Sequence, residues 1–385
     1  MGRLGYPYLG SHHSPKEFRD FPLFYGPSTT RRTLFKSAGK ATAVLAAAAL
    51  TLSACSTGPA SSTSDASTSS TSSSQFPATI KHVFGETTVK EQPKRVVTVS
   101  WVNDDVALAL GVVPVGVPKN EWGGNEQGST PWKDAALKEL GSGFGSDKAP
   151  VQFSEADGIN FTEIAKLTPD VILAAYSGLT EEDYKKLTEI APVVAHPEVA
   201  YGTSWQDATS IIGKALGKNA EATRLIADTE ATVKAEAAKY PQIAGKSFIY
   251  GYTDPADLTA TGFYTANDNR PKFLSAIGMK LAPVAEKASA GSKDFFVPWS
   301  AEKANELEAD IFLTSVEDAA TAAAVKSDPL LGQIPAIKNG AFVADADKSL
   351  VLAISASSPL SLPWALDTFL PQLARAADNV TAAVK

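Results

Sequence analysis

The stretch Asn160-Phe-Thr-Glu-Ile-Ala-Lys-Leu-Thr-Pro-Asp-Val-Ile-Leu-Ala174 decides the fold of this chain. It reads as a helix over 160–167, stopped by Thr168-Pro169 because the residue before a proline is pushed out of helical geometry. A strand over 171–174 follows at once. Outward from this unit the alternation continues. Arg95-Val-Val-Thr-Val-Ser100 is rich in β-branched residues and reads as a buried strand. Residues 103–110 form a short helix with Asn103 as its N-cap. Val112-Val-Pro-Val-Gly-Val117 is a second strand, placed at a sheet edge or start by Pro114. Downstream, 181–190 is a helix and 193–195 a strand. Strands alternating with helices argue for a mostly parallel α/β lobe.

Two helices follow. The first covers 205–216 and ends near Gly217; the second covers 220–240 and ends at Pro241. In the second, Ala222, Leu225, Ile226, Thr229 and Val233 keep helical spacing. The α/β pattern then restarts. Ser247-Phe-Ile-Tyr-Gly-Tyr252 is a strand, 271–277 and 300–307 are helices, 311–313 is a strand, and 362–375 is the last helix. The fold class is α/β, with two Rossmann-like α/β lobes over 76–218 and 241–385 joined by a single long helix over 219–240. No short-period repeat is visible.

The first 75 residues are of another kind. The sole cysteine, Cys55, closes Leu52-Ser-Ala-Cys55 after an apolar run rich in Ala, Leu and Thr. A basic start, an apolar stretch and small residues at its end are the pattern of an export signal, here 1–54. Thr30-Arg-Arg-Thr-Leu-Phe-Lys36 resembles a twin-arginine signal, and Leu-Ser-Ala-Cys resembles a bacterial lipobox, in which the cysteine takes a lipid. Residues 55–75 are almost all Ser and Thr and cannot bury enough apolar surface to order; they read as a lipidated tether. The expected place is the outer face of the cell membrane, anchored through Cys55.

Composition excludes several classes. Residues 55–385 hold 28 basic and 40 acidic residues, a net charge of −12, which argues against a nucleic-acid partner. Outside the signal no apolar run approaches the ~20 residues that span a bilayer. Beyond the signal only His82 and His196 remain, far apart, so a bare-metal site is poorly supplied. His196 ends a strand and could face a cleft. No Gly-x-Ser-x-Gly elbow occurs, and Gly141-Ser-Gly-Phe-Gly145 lacks the rest of a nucleotide fingerprint, so it reads as a flexible rim. The chain is expected not to be an enzyme, to need no cofactor and to act as a monomer.

At this point the residues carry a family resemblance. Lys81-His-Val-Phe-Gly85, Gln92-Pro-Lys-Arg-Val-Val97 and Leu110-Gly-Val-Val-Pro-Val-Gly-Val117 resemble the opening of iron-siderophore binding proteins of ABC importers. The stretch 160–172, Leu187-Thr-Glu-Ile-Ala-Pro192 and Asp328-Pro-Leu-Leu-Gly-Gln-Ile-Pro-Ala-Ile-Lys-Asn-Gly340 resemble later family segments, in family order. The resemblance implies a ligand cleft between the lobes and small closure about a stiff helix. It also implies a ferric siderophore as ligand, with iron bound only inside it, and delivery to a permease powered by an ATPase. It further implies one docking glutamate per lobe. Glu302 matches in the second lobe, whereas the first-lobe position falls at Thr162, with Glu163 one residue on. Haem or a corrinoid would suit the same scaffold; a surface lipoprotein enzyme suits the sequence less.

A ferric siderophore is bulky and oxygen-rich, so its site needs aromatic walls and cationic or hydrogen-bonding groups. Loops after strands supply Trp101, Trp122, Trp132 and Tyr176 in the first lobe, and Tyr252, Tyr264 and Trp299 in the second. The competing role of each ring is core packing. Beyond the signal there are four arginines: Arg95, Arg224, Arg270 and Arg375. Arg270 alone lies in a loop, Tyr264-Thr-Ala-Asn-Asp-Asn-Arg270, and is the candidate cation for an anionic ligand. Its competing role is a salt bridge to Asp268.

Overall fold

The computed structural model describes residues 75–253 and 261–383. The expected signal, Cys55 and all of the tether but Gln75 lie outside the described residues. The first lobe begins with a hairpin, β1 (Ala78–His82) and β2 (Gly85–Val89), which the sequence reading missed. It continues with β3 (Val96–Thr98), α1 (Asn103–Ala109), β4 (Gly116–Pro118), α2 (Pro131–Glu139) and β5 (Val151–Phe153). Then come α3 (Phe161–Lys166), β6 (Val171–Leu173), α4 (Glu181–Thr188), β7 (Val193–Val194) and α5 (Trp205–Ala215). Strands β3 to β7 form one parallel sheet in the order β5-β4-β3-β6-β7. Val97, Val99, Ile172, Leu173 and Val193 are wholly buried, because helices cover both faces. Pro114 precedes β4 and lets it sit inside the sheet.

The helices start where the sequence supplies caps. Thr130, Asn160 and Ser204 each accept a hydrogen bond from the backbone N–H three residues on, and Thr180 forms a capping box with Asp183. Asn103 does not cap α1. Val102 takes that place, and the Asn103 side chain is turned to other use below.

The long helix α6 (Asn219–Ala237) joins the lobes and buries Ala222, Thr229, Val233 and Ala237. The second lobe comprises β8 (Ser247–Tyr252), β9 (Gly262–Tyr264), α7 (Asn269–Ala276), β10 (Lys280–Leu281), α8 (Pro283–Ser289) and β11 (Phe296–Pro298). These are followed by β12 (Ile311–Ser315), α9 (Ala319–Ser327), α10 (Pro335–Lys338), β13 (Phe342–Asp345), α11 (Lys348–Ser355) and α12 (Ser361–Ala383). Strands β8, β10, β12 and β13 run parallel, while β9 pairs antiparallel with both β8 and β11, so β11 runs in the direction of β8. The antiparallel pair departs from the expected uniform α/β pattern. The helix expected over 300–307 is a 3₁₀ helix, Ala301–Glu306, broken at Lys303. Helix α12 packs on α6, α11, β12 and β13. Among the described residues no helix is long and apolar enough to cross a membrane.

Candidate functional site

The parallel strands bring their C-terminal ends to one edge of each lobe, where open α/β sheets bind ligands. In the first lobe that edge carries Ser100 and Trp101 after β3, Trp122 after β4, Glu155 after β5 and Tyr176 after β6. In the second it carries Tyr252 at the end of β8, Trp299 after β11 and Asp345 at the end of β13. The pairing of Gly262 with both Tyr252 and Pro298 sets Trp299 level with Tyr252.

Trp101 sits on an unusual turn. Ser100 (φ 62°) and Val102 (φ 73°) on either side of it are left-handed non-glycine residues, as is Tyr201 (φ 55°) nearby. Such residues cost about 1–3 kcal/mol each and persist only where neighbours hold them. The holders are visible. Ser100 N–H donates to Glu155 Oε2 at 2.9 Å. Asn103 Nδ2 donates to the carbonyls of Val99 (2.7 Å), Trp101 (3.0 Å) and Tyr176 (2.8 Å), while its Oδ1 accepts from Tyr176 N–H at 3.0 Å. This clamp displaces Asn103 from the capping role expected of it.

The turn presents an aromatic wall. The rings of Trp101 and Tyr201 lie 6.0 Å apart, and Tyr201 meets Tyr176 edge-on at 5.7 Å. Trp101, Trp122 and Tyr201 are half-buried, whereas Tyr176 is buried and bonds Asn269 of the other lobe. Burial pushes the Tyr176 phenol above its ordinary range. Tyr201 was not singled out from the sequence; it lies in an irregular loop with no local signal. The loop carrying Trp122 also crosses to the second lobe, where Ser349 Oγ donates to the Gly123 carbonyl at 2.8 Å. Gly123 (φ +69°) has no room for a side chain there: a Cβ would lie 2.8 Å from the Lys348 carbonyl oxygen.

Facing this wall, Arg270 lies in the first turn of α7 rather than in a loop, over the ring of Tyr264, which is buried in β9 rather than on a loop, at 4.1 Å, and near the Tyr250 ring at 5.8 Å. Its Nη1 donates to both carboxylate oxygens of Asp268, at 3.0 and 2.9 Å, so the salt bridge expected as its alternative role is formed. Nε and Nη2 make no hydrogen bond to the described residues. Burial works against the Arg270 charge, but Asp268 and the two tyrosines outweigh it and hold the pKa above its ordinary value. Burial likewise raises the Tyr264 phenol to about 12. Trp299 and Tyr252 are half-buried, with Trp299 Nε1 bonded to its own turn at the Lys303 carbonyl, 3.0 Å away.

Three expectations are corrected. Trp132 is not on a loop; it lies in α2, buried, with Nε1 donating to Asp105 Oδ2 at 2.6 Å and its ring 5.1 Å from Trp364 of α12. Ser358 Oγ donates to the same Asp105 oxygen at 2.6 Å, so this cluster staples the lobes together. Beside it, Lys133 is paired with Asp104 at 2.6 Å and bonded to Asn120. His196 does not face the cleft. It is buried against Phe84 of the hairpin, and burial lowers its pKa to about 4. The Gly141–Gly145 stretch lies between α2 and the start of β5, at the opposite edge of the sheet, and is no rim of the site.

Of the docking candidates, Glu302 is exposed at the start of the 3₁₀ helix. Glu163 lies in the first turn of α3, where it is paired with Lys166 at 2.6 Å. Thr162 beside it is exposed. Among the described residues no group of three or more His, Cys, Asp or Glu is placed to hold a metal ion.

Two α/β lobes, one long connecting helix and aromatic strand ends facing each other define a two-lobed solute-binding protein. The chain belongs to the periplasmic binding protein family, whose model matches residues 96–348. It is similar to PiaA of Streptococcus pneumoniae TIGR4 in complex with ferrichrome, at 38% identity and a TM-score of 0.73 over 78% of this chain and 99% of that one. It is similar to Staphylococcus aureus SirA complexed with staphyloferrin B, at 25% identity and a TM-score of 0.60 over 77% and 98% of the two chains. It is also 26% identical, over 69% of its length and 76% of the relative's, to the Fe(3+)-citrate-binding protein YfmC of Bacillus subtilis strain 168. These relatives are binding proteins, and this chain is one rather than an enzyme.

Proposed function

We propose that this protein captures a ferric siderophore between its lobes and delivers it to the permease of an ABC importer, whose ATPase powers uptake. It does so as a monomer on the outer face of the cell membrane, held there by lipid on Cys55 after export. The observation that supports this reading most is the likeness to the ferrichrome complex of PiaA, which spans nearly all of that chain. The site chemistry agrees with it. Half-buried Trp101, Trp122, Tyr201, Tyr252 and Trp299 offer rings to a bulky chelate, and Arg270 offers its guanidinium to the chelate's oxygens. Iron enters inside its chelate, and the protein needs no cofactor. Glu302, and Glu163 in place of Thr162, are the docking residues of this reading.

The test is tryptophan fluorescence of residues 76–385 titrated with ferrichrome, ferric citrate, ferrioxamine B, haem and cobalamin. Saturable, submicromolar quenching by a ferric siderophore, weakened by Arg270→Ala, is expected. No quenching by any siderophore, or tighter binding of haem or cobalamin, refutes it.

A further inference from the structure

Glu155 follows the edge strand β5, yet its carboxyl reaches past the end of β4 to the backbone of Ser100 after β3. It therefore lies across the floor of the site, beneath the turn that carries Trp101. Only Oε2 is used. Oε1 is shut off from solvent and has no hydrogen-bond partner among the described residues. A buried acceptor left unmade is costly, about 1–3 kcal/mol and more for a charged group. The titratable and charged groups facing it are Asp104 from α1, Glu121 from the loop after β4, and Tyr201, none of them a cation. Neither buried cation nearby pairs with it: Lys133 of α2 is paired with Asp104, and Arg270 of α7 is paired with Asp268 through Nη1. The second lobe repeats the arrangement: Asp345 is buried at the end of β13, its Oδ1 accepts from Asp347 N–H at 3.0 Å, and its Oδ2 has no partner among the described residues. Contacts between the lobes flank this edge, Tyr176 with Asn269 and Lys272 Nζ with the Gly202 carbonyl at 3.4 Å.

We infer that Glu155 reads the charge of the cargo: Oε1 receives a hydrogen-bond donor from the ligand, so the preferred ferric chelate carries an ammonium or N–H group and is neutral or positive overall rather than anionic. This rests on the siderophore reading above and deepens it. Burial, with Asp104 and Glu121 adding to it, raises the Glu155 carboxyl to about 7. Selectivity for a cation is therefore strongest in mildly alkaline solution and fades as the carboxyl takes up a proton.

The experiment compares ferrioxamine B, whose free end is an ammonium, with its N-acetylated form, which has the same iron centre and no charge there. Both are titrated by tryptophan quenching into wild type and Glu155→Gln. Wild type is expected to prefer the ammonium form about tenfold near pH 8, as a charge-assisted hydrogen bond provides. That preference is expected to shrink toward pH 5.5, and Glu155→Gln is expected to bind both forms alike at either pH. Equal binding of the two forms by wild type, or a preference that survives in Glu155→Gln, overturns the inference while leaving siderophore binding intact. Failure of every ferric chelate to quench wild type overturns the siderophore reading, and the inference with it.

Discussion

Gly178 follows Tyr176 by two residues and lies beneath the Tyr201 ring. A methyl group added there would sit 2.7 Å from Tyr201 Cζ and 2.9 Å from its hydroxyl, and closer still to Cε2. Ordinary carbon contacts are about 3.5–4.0 Å, so Gly178→Ala must displace the ring by about 1 Å or more. Gly178 has no left-handed φ, so the backbone accepts alanine, and the stiffer unfolded chain offsets about 0.4–1 kcal/mol of any loss. Tyr201 is held by its backbone bond to the Ser177 carbonyl (2.9 Å) and by side-chain bonds to Ser100 and the Gly178 backbone. Moving the ring breaks those side-chain bonds and the contacts with Tyr176 and Trp101, about 1 kcal/mol for a hydrogen bond and 0.5–1.5 for an aromatic pair. Net stability should fall by about 2–4.5 kcal/mol, less than the roughly 5–15 kcal/mol by which folded domains are stable, so the protein stays folded. Binding should suffer too, because Tyr201 is half of the aromatic wall. Truncating such a contact costs about 1–2 kcal/mol, or roughly 5- to 30-fold in Kd. The assay is siderophore quenching beside urea unfolding, for Gly178→Ala, Tyr201→Ala and the double variant. If the methyl acts by moving the ring, it should cost almost nothing once Tyr201 is alanine. Wild-type affinity in Gly178→Ala, or an added loss in the double variant, refutes the reasoning.

Ser358→Ala removes a hydroxyl that donates to Asp105 at 2.6 Å and accepts from Ser361 N–H at 2.9 Å at the head of α12. A charge-assisted bond and a helix cap together are worth about 2.5–4 kcal/mol, so calorimetry should show Tm lowered by roughly 5–10 °C. Stability should also fall as pH rises. Burial raises Asp105 and Glu155 to about 7 and Asp345 to about 6, so the folded state holds protons that the unfolded chain has already released above about pH 4. His196, lowered to about 4, acts oppositely, but only up to about pH 6.5. Urea unfolding should therefore give about 2 kcal/mol less stability at pH 8 than at pH 6, and Asp105→Asn should flatten the trend; greater stability at pH 8 contradicts this. Glu302→Lys should leave siderophore affinity unchanged and reduce uptake into permease-containing vesicles about tenfold, through lost charge complementarity at docking. Cys55→Ala should move the full-length protein from the membrane to the soluble fraction, and unchanged retention counts against the lipid anchor.

The alternation of strands and helices was legible in the sequence because its causes are local. Thr168-Pro169 stops a helix, β-branched runs such as 95–100 favour a strand, and Pro241 closes the inter-lobe helix, each within a few residues of its effect. The elements that escaped notice include the β1–β2 hairpin, β5, β9, β10 and β11, which are short strands stabilised by partners rather than by propensity, and the helices α2, α8, α9 and α11. The candidate aromatics and Arg270 were visible as residue types, but their roles were not, nor that Trp132, Tyr264 and Arg270 lie within α2, β9 and α7. Arg270 is engaged by Asp268 and overlain on Tyr264; Trp132 became a staple; Asn103 became a clamp instead of a cap. The site's polar framework joins residues remote in the chain: Glu155 meets Ser100 across 55 positions, and Asp105 meets Ser358 across 253. No local rule connects such pairs. The sequence determined which segments form strands and helices. Only the packing of the two lobes decided which carboxylates would be paired, which ring would lie on Gly178, and which oxygen would be left for a ligand, because burial and electrostatic environment depend on neighbours that the fold alone assembles.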